Sequence, residues 1–110
     1  MLNDYYFLLY VLVYSDRIFV IISQLNKFGT ILKADSAPKS EGGGFIYTIT
    51  TLIGKRDDPL LNIYARQIIE RLSLTTNKPL LLAISILDDS RDSETFQTIL
   101  NYLFQENAWN

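Results

Sequence analysis

Two apolar runs near the N-terminus constrain the fold more than any other part of the sequence. The first run covers Tyr5 to Tyr14, the polar residues SDR interrupt it, and IFVIIS follows. A helix that crosses a membrane needs roughly 20 apolar residues in succession, so neither run is long enough. Both runs are rich in β-branched and aromatic residues, which favour strands. We therefore expect a β-hairpin over Tyr5–Tyr14 and Arg17–Ser23, and neither a transmembrane helix nor a signal peptide.

Patterns of the same kind predict the remaining elements. The run LLLAISIL, Leu80 to Leu87, is apolar on both faces apart from one serine, which is typical of a short central strand. Asp58-Pro59 predicts a helix start, because aspartate can cap free amide groups and proline lacks one. Residues 35–44 contain serine, proline and glycine and predict a flexible surface loop. Further strands are predicted at Thr30–Ala34 and Phe45–Ile53, and a second helix from Asp92 or Ser93 onwards.

The order of these elements predicts one α+β domain over residues 1–110. We expect an antiparallel sheet of about five to six strands, in the order βββ-β-α-β-α, with both helices packed on one side. The chain has 110 residues and is 48% hydrophobic, so it can form a core of its own. The helices cover one face of such a sheet, and the other face is available for a sandwich-like dimer.

The uncovered face of the sheet predicts a partner chain. Alternate residues of a strand share a face, so Tyr6, Tyr10 and Tyr14 lie on one side of the first strand. A monomer rarely exposes a large apolar patch, and tyrosine suits interfaces because its ring buries area while its hydroxyl stays wet. The alternative is a sheet that curls and buries both sides internally. The candidate partner-interface residues are Tyr6, Tyr10, Tyr14, Phe19, Arg66 and Arg71.

The two arginines in that set lie on the polar side of the first predicted helix. Arg66 and Arg71 could contact an acidic partner surface, and the competing interpretation is an ordinary solvated helical face.

The composition excludes several kinds of chemistry. The chain contains no Cys and no His, which removes thiol nucleophiles, imidazole bases and the usual zinc ligands. A net charge of −2 without a basic run argues against nucleic acid as a partner. Gly54-Lys55 is followed by Arg56 where a phosphate-binding loop needs serine or threonine. We therefore expect no enzymatic activity and no cofactor.

Two pairs of aspartates leave one enzymatic alternative open. Asp57-Asp58 and Asp88-Asp89 could bind Mg²⁺ between them, since hard cations prefer carboxylate oxygens. Helix capping by Asp58 and a polar turn at Asp88-Asp89 explain the same residues without a metal.

Several segments together resemble proteasome assembly chaperone 4. The resemblance rests on their order and spacing along most of the chain, and none of them carries a catalytic residue. The matching segments are Ser15 to Val20, Thr51 to Gly54, Ala65 to Leu72, and Thr76 to Lys78 directly before the apolar strand.

This resemblance implies a function without catalysis. Such a protein pairs with a proteasome assembly chaperone 3-like subunit, a structural relative, through sheet surfaces. The heterodimer binds α subunits of the 20S proteasome, alpha-5 in particular, and promotes assembly of the α ring. The absence of cysteine, and therefore of disulfides, fits a cytoplasmic location, with the nucleus as a second compartment. The alternative function is a longin-like or roadblock-like dimerisation module in trafficking or GTPase regulation, although four predicted strands before the first helix argue against it.

Overall fold

The computed structural model describes residues 7–24, 29–87 and 90–106, with the side chain of the last residue excepted. The described elements follow the predicted order of strands and helices, and the α+β fold class is confirmed. They are β1 (Phe7–Val13), β2 (Ile18–Gln24), β3 (Thr30–Pro38), β4 (Phe45–Ile53), α1 (Pro59–Leu72), β5 (Leu80–Ser85) and α2 (Ser93–Glu106).

The strands form one sheet in the order β1-β2-β5-β3-β4. Two antiparallel hairpins, β1–β2 and β3–β4, lie on either side of β5. The last strand pairs antiparallel with β3 and parallel with β2. The sheet is therefore mostly antiparallel, as predicted, and β5 is its central strand. The parallel pair arises because the chain passes through α1 before it returns to the sheet beside β2.

The third strand is longer than the sequence predicted. Residues 35–38 were expected in the loop, but they extend β3 to Pro38, which lies opposite Phe45. Polar residues and a proline signalled a loop, yet the uninterrupted β4 offers backbone partners along this whole length. The turn itself is confined to residues 39–44, where the Lys39 amide donates to the Gly44 carbonyl at 3.0 Å.

Helix α1 begins as predicted. Asp58 adopts an extended backbone conformation and its carboxylate accepts hydrogen bonds from the amides of Leu60 and Leu61, while Pro59 is the first helical residue. These contacts satisfy amide groups that have no partner within the helix. The predicted apolar stripe of α1 is buried, and its residues are Leu61, Tyr64, Ala65, Ile68, Ile69 and Leu72.

The core lies between the helices and one face of the sheet. Helix α1 packs on β3, β4 and β5. Helix α2 contributes Ile99, Leu100 and Leu103, all buried. The two helices also contact each other, since the rings of Tyr64 and Phe96 meet edge to face with centroids 4.7 Å apart. Both helices therefore cover the same side of the sheet, which leaves the opposite side to be considered as a functional surface.

Gly54 links β4 to α1 and cannot carry a side chain. Its φ of +104° suits glycine, and an added Cβ would lie 2.5 Å from the Gly29 carbonyl oxygen. We expect Gly54→Ala to lower the free energy of unfolding by about 2 kcal/mol or more, through backbone strain and steric overlap. Urea denaturation measures the change.

Gly43 provides the matched control for this substitution. It also has a positive φ, of +72°, but an added Cβ would meet nothing within 4 Å. Gly43→Ala should therefore cost only the backbone strain, about 1 kcal/mol. Equal destabilisation by the two substitutions would contradict the close approach of Gly54 to Gly29.

Candidate partner-binding surface

The sheet face that turns away from both helices carries a continuous apolar surface, which we call the open face. Side chains alternate along β2, so Ile18, Val20 and Ile22 lie in the core while the residues between them point the other way. The register of β1, β2 and β5 places their outward residues side by side. The apolar side chains of the open face are Leu8, Tyr10 and Leu12 of β1, Phe19 and Ile21 of β2, and Leu81 and Ala83 of β5.

Strands β3 and β4 add a polar patch to the middle of the open face, with the apolar Ile31 and Ile46 towards its ends. Lys33 lies beside Leu81 on one side and Thr50 on the other. Its Nζ atom is 4.0 Å from Oδ2 of Asp35, and both side chains are about half exposed. An exposed ion pair of this kind contributes little to stability. The open face is therefore apolar across β1, β2 and β5 and carries one polar patch around Lys33, which can fix the orientation of a partner.

Strand β1 leaves a row of apolar side chains in water on the open face. Tyr10 is 53% exposed, Leu12 41% and Leu8 39%. A row of such side chains along one strand is a contiguous patch, and contiguous apolar patches mark interaction sites on soluble proteins. The alternative of a sheet that curls and buries both faces internally is therefore wrong for the described residues, since these side chains remain exposed.

A shallow hollow lies at one end of the open face, beside the β1–β2 turn. Arg17 and Asp16 form an exposed ion pair there, with Nη2 and Oδ2 3.0 Å apart. The hydrogen bond from Arg17 lowers the pKa of Asp16. The apolar residues of the hollow and the charged residues around it could together bind a side chain of the partner. The hollow is lined by Asp16, Arg17, Lys33, Leu52, Pro79, Leu80 and Leu81.

The structure places most of the predicted aromatic interface residues on this surface. Tyr10 and Phe19 belong to the open face. Tyr14 follows β1 and lines a second hollow with Arg17 and Phe19, so it lies at the same end. Tyr6 lies outside the described residues. The assignment of these side chains to a partner interface stays a prediction.

The two predicted arginines lie elsewhere, on α1. The Arg66 guanidinium pairs with Glu70 at 2.5 Å and lies 4.9 Å from the ring centroid of Tyr47. The Arg71 guanidinium lies 4.9 Å from the ring centroid of Phe104. Both arginines therefore lie in the helix layer, on the opposite side of the sheet from Tyr10 and Phe19. The candidate residues that the structure describes do not form one site.

Sequence reasoning missed part of the open face. Leu81 and Lys33 belong to it because β5 lies between β2 and β3, and Ile21 belongs to it because it shares a face of β2 with Phe19. The alternation within each strand was readable from the sequence, but the neighbours of β5 were not. Pairing between strands that are distant in sequence leaves no local signal.

Asp58, which precedes α1, is the most buried carboxylate among the ion pairs of the described residues. Its side chain is only 2% exposed, and Oδ1 is 2.6 Å from Nη2 of Arg91. Lys55 approaches the same carboxylate at 3.9 Å. Burial acts to raise the pKa of Asp58, but the hydrogen bond and charge of Arg91 outweigh it, so the pKa is lowered. This carboxylate therefore ties the start of α1 to the segment that leads into α2.

The four aspartates that could bind Mg²⁺ differ in their surroundings. Asp58 is held by Arg91 and by the α1 amides, whereas Asp57 is exposed. Asp88 and Asp89 lie outside the described residues. Within the part of the chain that the structure describes, no three potential ligands cluster as a metal would require, and neither helix is long and apolar enough to cross a membrane.

Comparisons with known proteins agree on one family. The family model for proteasome assembly chaperone 3 matches residues 20–106. The chain is 33% identical over 98 residues to proteasome assembly chaperone 3 of Nematostella vectensis, covering 82% of this chain and 71% of that protein. It is 32% identical over 82 residues to the protein of the same name from Bos taurus, covering 73% of this chain and 66% of the relative. The chain belongs to the proteasome assembly chaperone 3 family.

The family corrects the resemblance to proteasome assembly chaperone 4. That prediction was right about the kind of protein and wrong about the subunit. The segments behind it mark strand ends, a helix and a turn, which reflect a fold and do not identify one subunit. The prediction that the chain is not an enzyme is confirmed by its membership of a family of chaperones. The family also displaces the longin-like or roadblock-like alternative.

Asp58 makes a testable contribution to stability. Removing its carboxylate in Asp58→Ala removes a helix cap and a charged hydrogen bond to Arg91. We expect the free energy of unfolding at pH 7 to fall by about 2–3 kcal/mol, measured by urea denaturation. Asp92→Ala is the control, because Asp92 caps α2 through Thr95 but is exposed, and it should cost clearly less.

The same carboxylate predicts a dependence on pH. A folded-state pKa below the ordinary value means that the stabilisation is fully present above about pH 4 and is lost as the pH falls through the folded pKa. The stability of Asp58→Asn should therefore fall less steeply than that of the unaltered chain below pH 4. Parallel pH profiles for the two proteins would contradict this role.

Proposed function

We propose that this chain assists assembly of the 20S proteasome α ring as one subunit of a chaperone dimer, and that the partner subunit covers the open face. The observation that carries the proposal is the exposed row Leu8, Tyr10 and Leu12 in a chain of this family. Its relatives are named as proteasome assembly chaperones. Family and geometry thus support the same kind of function, which is binding without catalysis.

The corrected family changes the partner subunit that we propose. The resemblance implied a dimer of one chaperone 3-like and one chaperone 4-like subunit. Since this chain belongs to the chaperone 3 family, the partner that we propose is the chaperone 4-like subunit. A second copy of the same chain is the competing occupant of the open face.

The apolar region and the polar patch of the open face suit a specific dimer. Burial of the apolar region on β1, β2 and β5 supplies the driving force, at roughly 25 cal/mol for each Å² removed from water, less the cost of association. The polar patch, with Lys33 and Asp35, contributes little energy but disfavours a partner whose charges do not match. The partner that fits best presents apolar residues to β1, β2 and β5, and uncharged or complementary residues to the polar patch.

The helix layer stays accessible when the open face is covered. We propose that this layer, including Arg66 and Arg71, contacts an α subunit, with alpha-5 as the specific candidate. The two guanidinium groups lie over aromatic rings, which holds them in defined positions at the surface. A cytoplasmic and nuclear location is part of the same proposal, because the chain has to bind the proteasome subunits in the compartment where they assemble.

Co-expression tests this function directly. The chain is expressed with a chaperone 4-like protein and α subunits from the same source, and complexes are identified by native mass spectrometry. The proposal predicts a one-to-one chaperone dimer and a larger complex that also contains an α subunit. A soluble monomer that binds neither protein would contradict it, and a stable homodimer would overturn the assignment of the partner.

A charge on the open face should break the dimer without unfolding the chain. Leu12→Arg places a cation among apolar side chains at a position that water already reaches. We expect the affinity for the partner to fall by at least about tenfold, because the buried guanidinium would lack a counter-charge. Isothermal titration calorimetry measures the affinity, and circular dichroism verifies the fold.

Leu74→Arg is the matched control for this substitution. Leu74 follows α1, is 80% exposed and does not belong to the open face. Its replacement should leave the affinity for the chaperone partner unchanged. A similar loss of affinity in both variants would show that charge alone, and not its place on the open face, weakens binding.

A further inference from the structure

Among the described strands the sheet ends in β4, and the outer edge of β4 has no partner strand there. The amide of Lys39 donates to the carbonyl of Gly44, so these residues form a hydrogen-bonded pair of the β3–β4 hairpin. Such pairs alternate with pairs that are not hydrogen-bonded, and the backbone groups of the latter point away from the partner strand. By this alternation the outward-pointing residues of β4 are Phe45, Tyr47, Ile49 and Thr51.

The contact of Arg56 agrees with this assignment. Its Nη1 donates to the carbonyl oxygen of Thr51 at 3.2 Å, so that oxygen is within reach of a donor outside the β3–β4 ladder. Thr51 is one of the residues whose carbonyl should point outward. Two separate observations, one at each end of β4, therefore give the same free edge.

The sequence of β4 contains no residue of the kind that prevents another strand from pairing with an edge. The strand reads FIYTITTLI and contains no charge, no proline and no glycine. Natural sheets block their edges with charged residues, proline or bulges, and here the register of β3 and β4 is regular from Phe45 to Thr51 and shifts only beyond Thr51. An unblocked edge of this kind accepts an additional strand. Pairing in the described residues leaves β4 with β3 as its one neighbour.

Helix α1 lies next to the outer edge of β4, on the helix side of the sheet. Arg66 lies over the ring of Tyr47, so the side of α1 that carries Arg66 faces β4. Ile63 lies one turn earlier on that side and is 47% exposed. An added strand would therefore place its helix-side residues against an apolar side chain.

A positive charge without a counter-charge lies at the end of the edge. Among the described residues, the guanidinium groups of Arg17, Arg66 and Arg91 are each paired with a carboxylate. Arg56 contacts the Thr51 carbonyl and has no carboxylate within salt-bridge distance in the same part of the chain. A carboxylate on the added strand would complete this site.

We propose that the edge of β4 binds an extended segment of a partner protein as a sixth strand. The segment has apolar residues facing α1 and a carboxylate that pairs with Arg56. This site lies in the plane of the sheet and is separate from the open face, so the proposal goes beyond the chaperone dimer and does not depend on it. The other edge strand, β1, adjoins residues 1–6, which lie outside the described residues, so its surroundings do not define an occupant.

A designed peptide tests the proposal on the full chain. The blocked peptide EVTVTVE alternates apolar and polar residues and has a carboxylate near each end, so either strand direction is served. The readout is amide hydrogen exchange measured by nuclear magnetic resonance. Strand addition predicts slower exchange at Tyr47, Ile49 and Thr51 on peptide binding, with little change at Thr48 and Thr50, whose amides already face β3. Slower exchange confined to the open face, or at no residue, would overturn the proposal.

Two controls separate strand addition from other contacts. A peptide with N-methyl groups on the alternate nitrogens that face β4 cannot donate hydrogen bonds and should not bind, whereas equal binding would contradict backbone pairing. Protection of the same β4 amides with rising chain concentration and no peptide would assign the edge to a second copy of the chain instead, and would overturn the proposed occupant.

Arg56→Glu tests the carboxylate contact. Arg56 is exposed, so the fold should persist. We expect the affinity for EVTVTVE to fall by about threefold or more, while the affinity for the neutral peptide QVTVTVQ stays unchanged. Arg71→Glu, on the flank of α1 that contacts Phe104, is the matched control and should bind both peptides normally. Equal losses in both variants would contradict a specific role for Arg56.

Discussion

The architecture depends on the insertion of β5 between two hairpins. Leu80, Leu82 and Ile84 are fully buried beneath the helices, and Ala83 on the opposite face is 1% exposed because its neighbours on β2 and β3 surround it. Without β5, the hairpins β1–β2 and β3–β4 would each be a two-stranded ribbon, which is marginally stable alone in water. One strand of six residues therefore joins two independent halves into a sheet.

Two polar contacts hold the segments around β5 in place. Asp58 links the start of α1 to Arg91, which precedes α2. Gln24, at the end of β2, accepts a hydrogen bond from the Leu87 amide at 2.5 Å and donates to Ser90 at 3.2 Å. Both side chains are buried, so their polar groups need these partners. The chain is thereby fixed where it enters α1 and where it leaves β5, which supports the packing of both helices on one face of the sheet.

The parts of the fold that depend on local chemistry could be predicted from the sequence. The cap at Asp58, the buried stripe of α1 and the central position of β5 are confirmed, since each follows from a short pattern. The extension of β3 to Pro38 was missed, because tertiary pairing with β4 outweighed the local loop signals at residues 35–38. The parallel pairing of β2 with β5 was missed for a similar reason. The open face shows the same division. The alternation of β1 could be predicted from its sequence, whereas the presence of Leu81 and Lys33 on this face depends on the order of the strands.

The two faces of this small sheet have different roles. The helix layer buries the core, and the family to which the chain belongs indicates assembly and not catalysis. The open face, with its exposed row on β1, is the surface that most needs a cover. The polar patch around Lys33 within this apolar surface explains how a subunit could be specific for one partner while most of its binding energy is non-directional.

The absence of cysteine from the chain allows the central claim to be measured directly. Single cysteines are introduced as Tyr10→Cys on the open face and Leu74→Cys outside it, and their rates of alkylation are compared in the free chain and in the complex with the chaperone 4-like subunit. If the partner covers the open face, alkylation at position 10 slows by at least about tenfold in the complex, because a packed interface excludes the reagent, while position 74 reacts as before. Unchanged alkylation at position 10 within an intact complex would contradict the account.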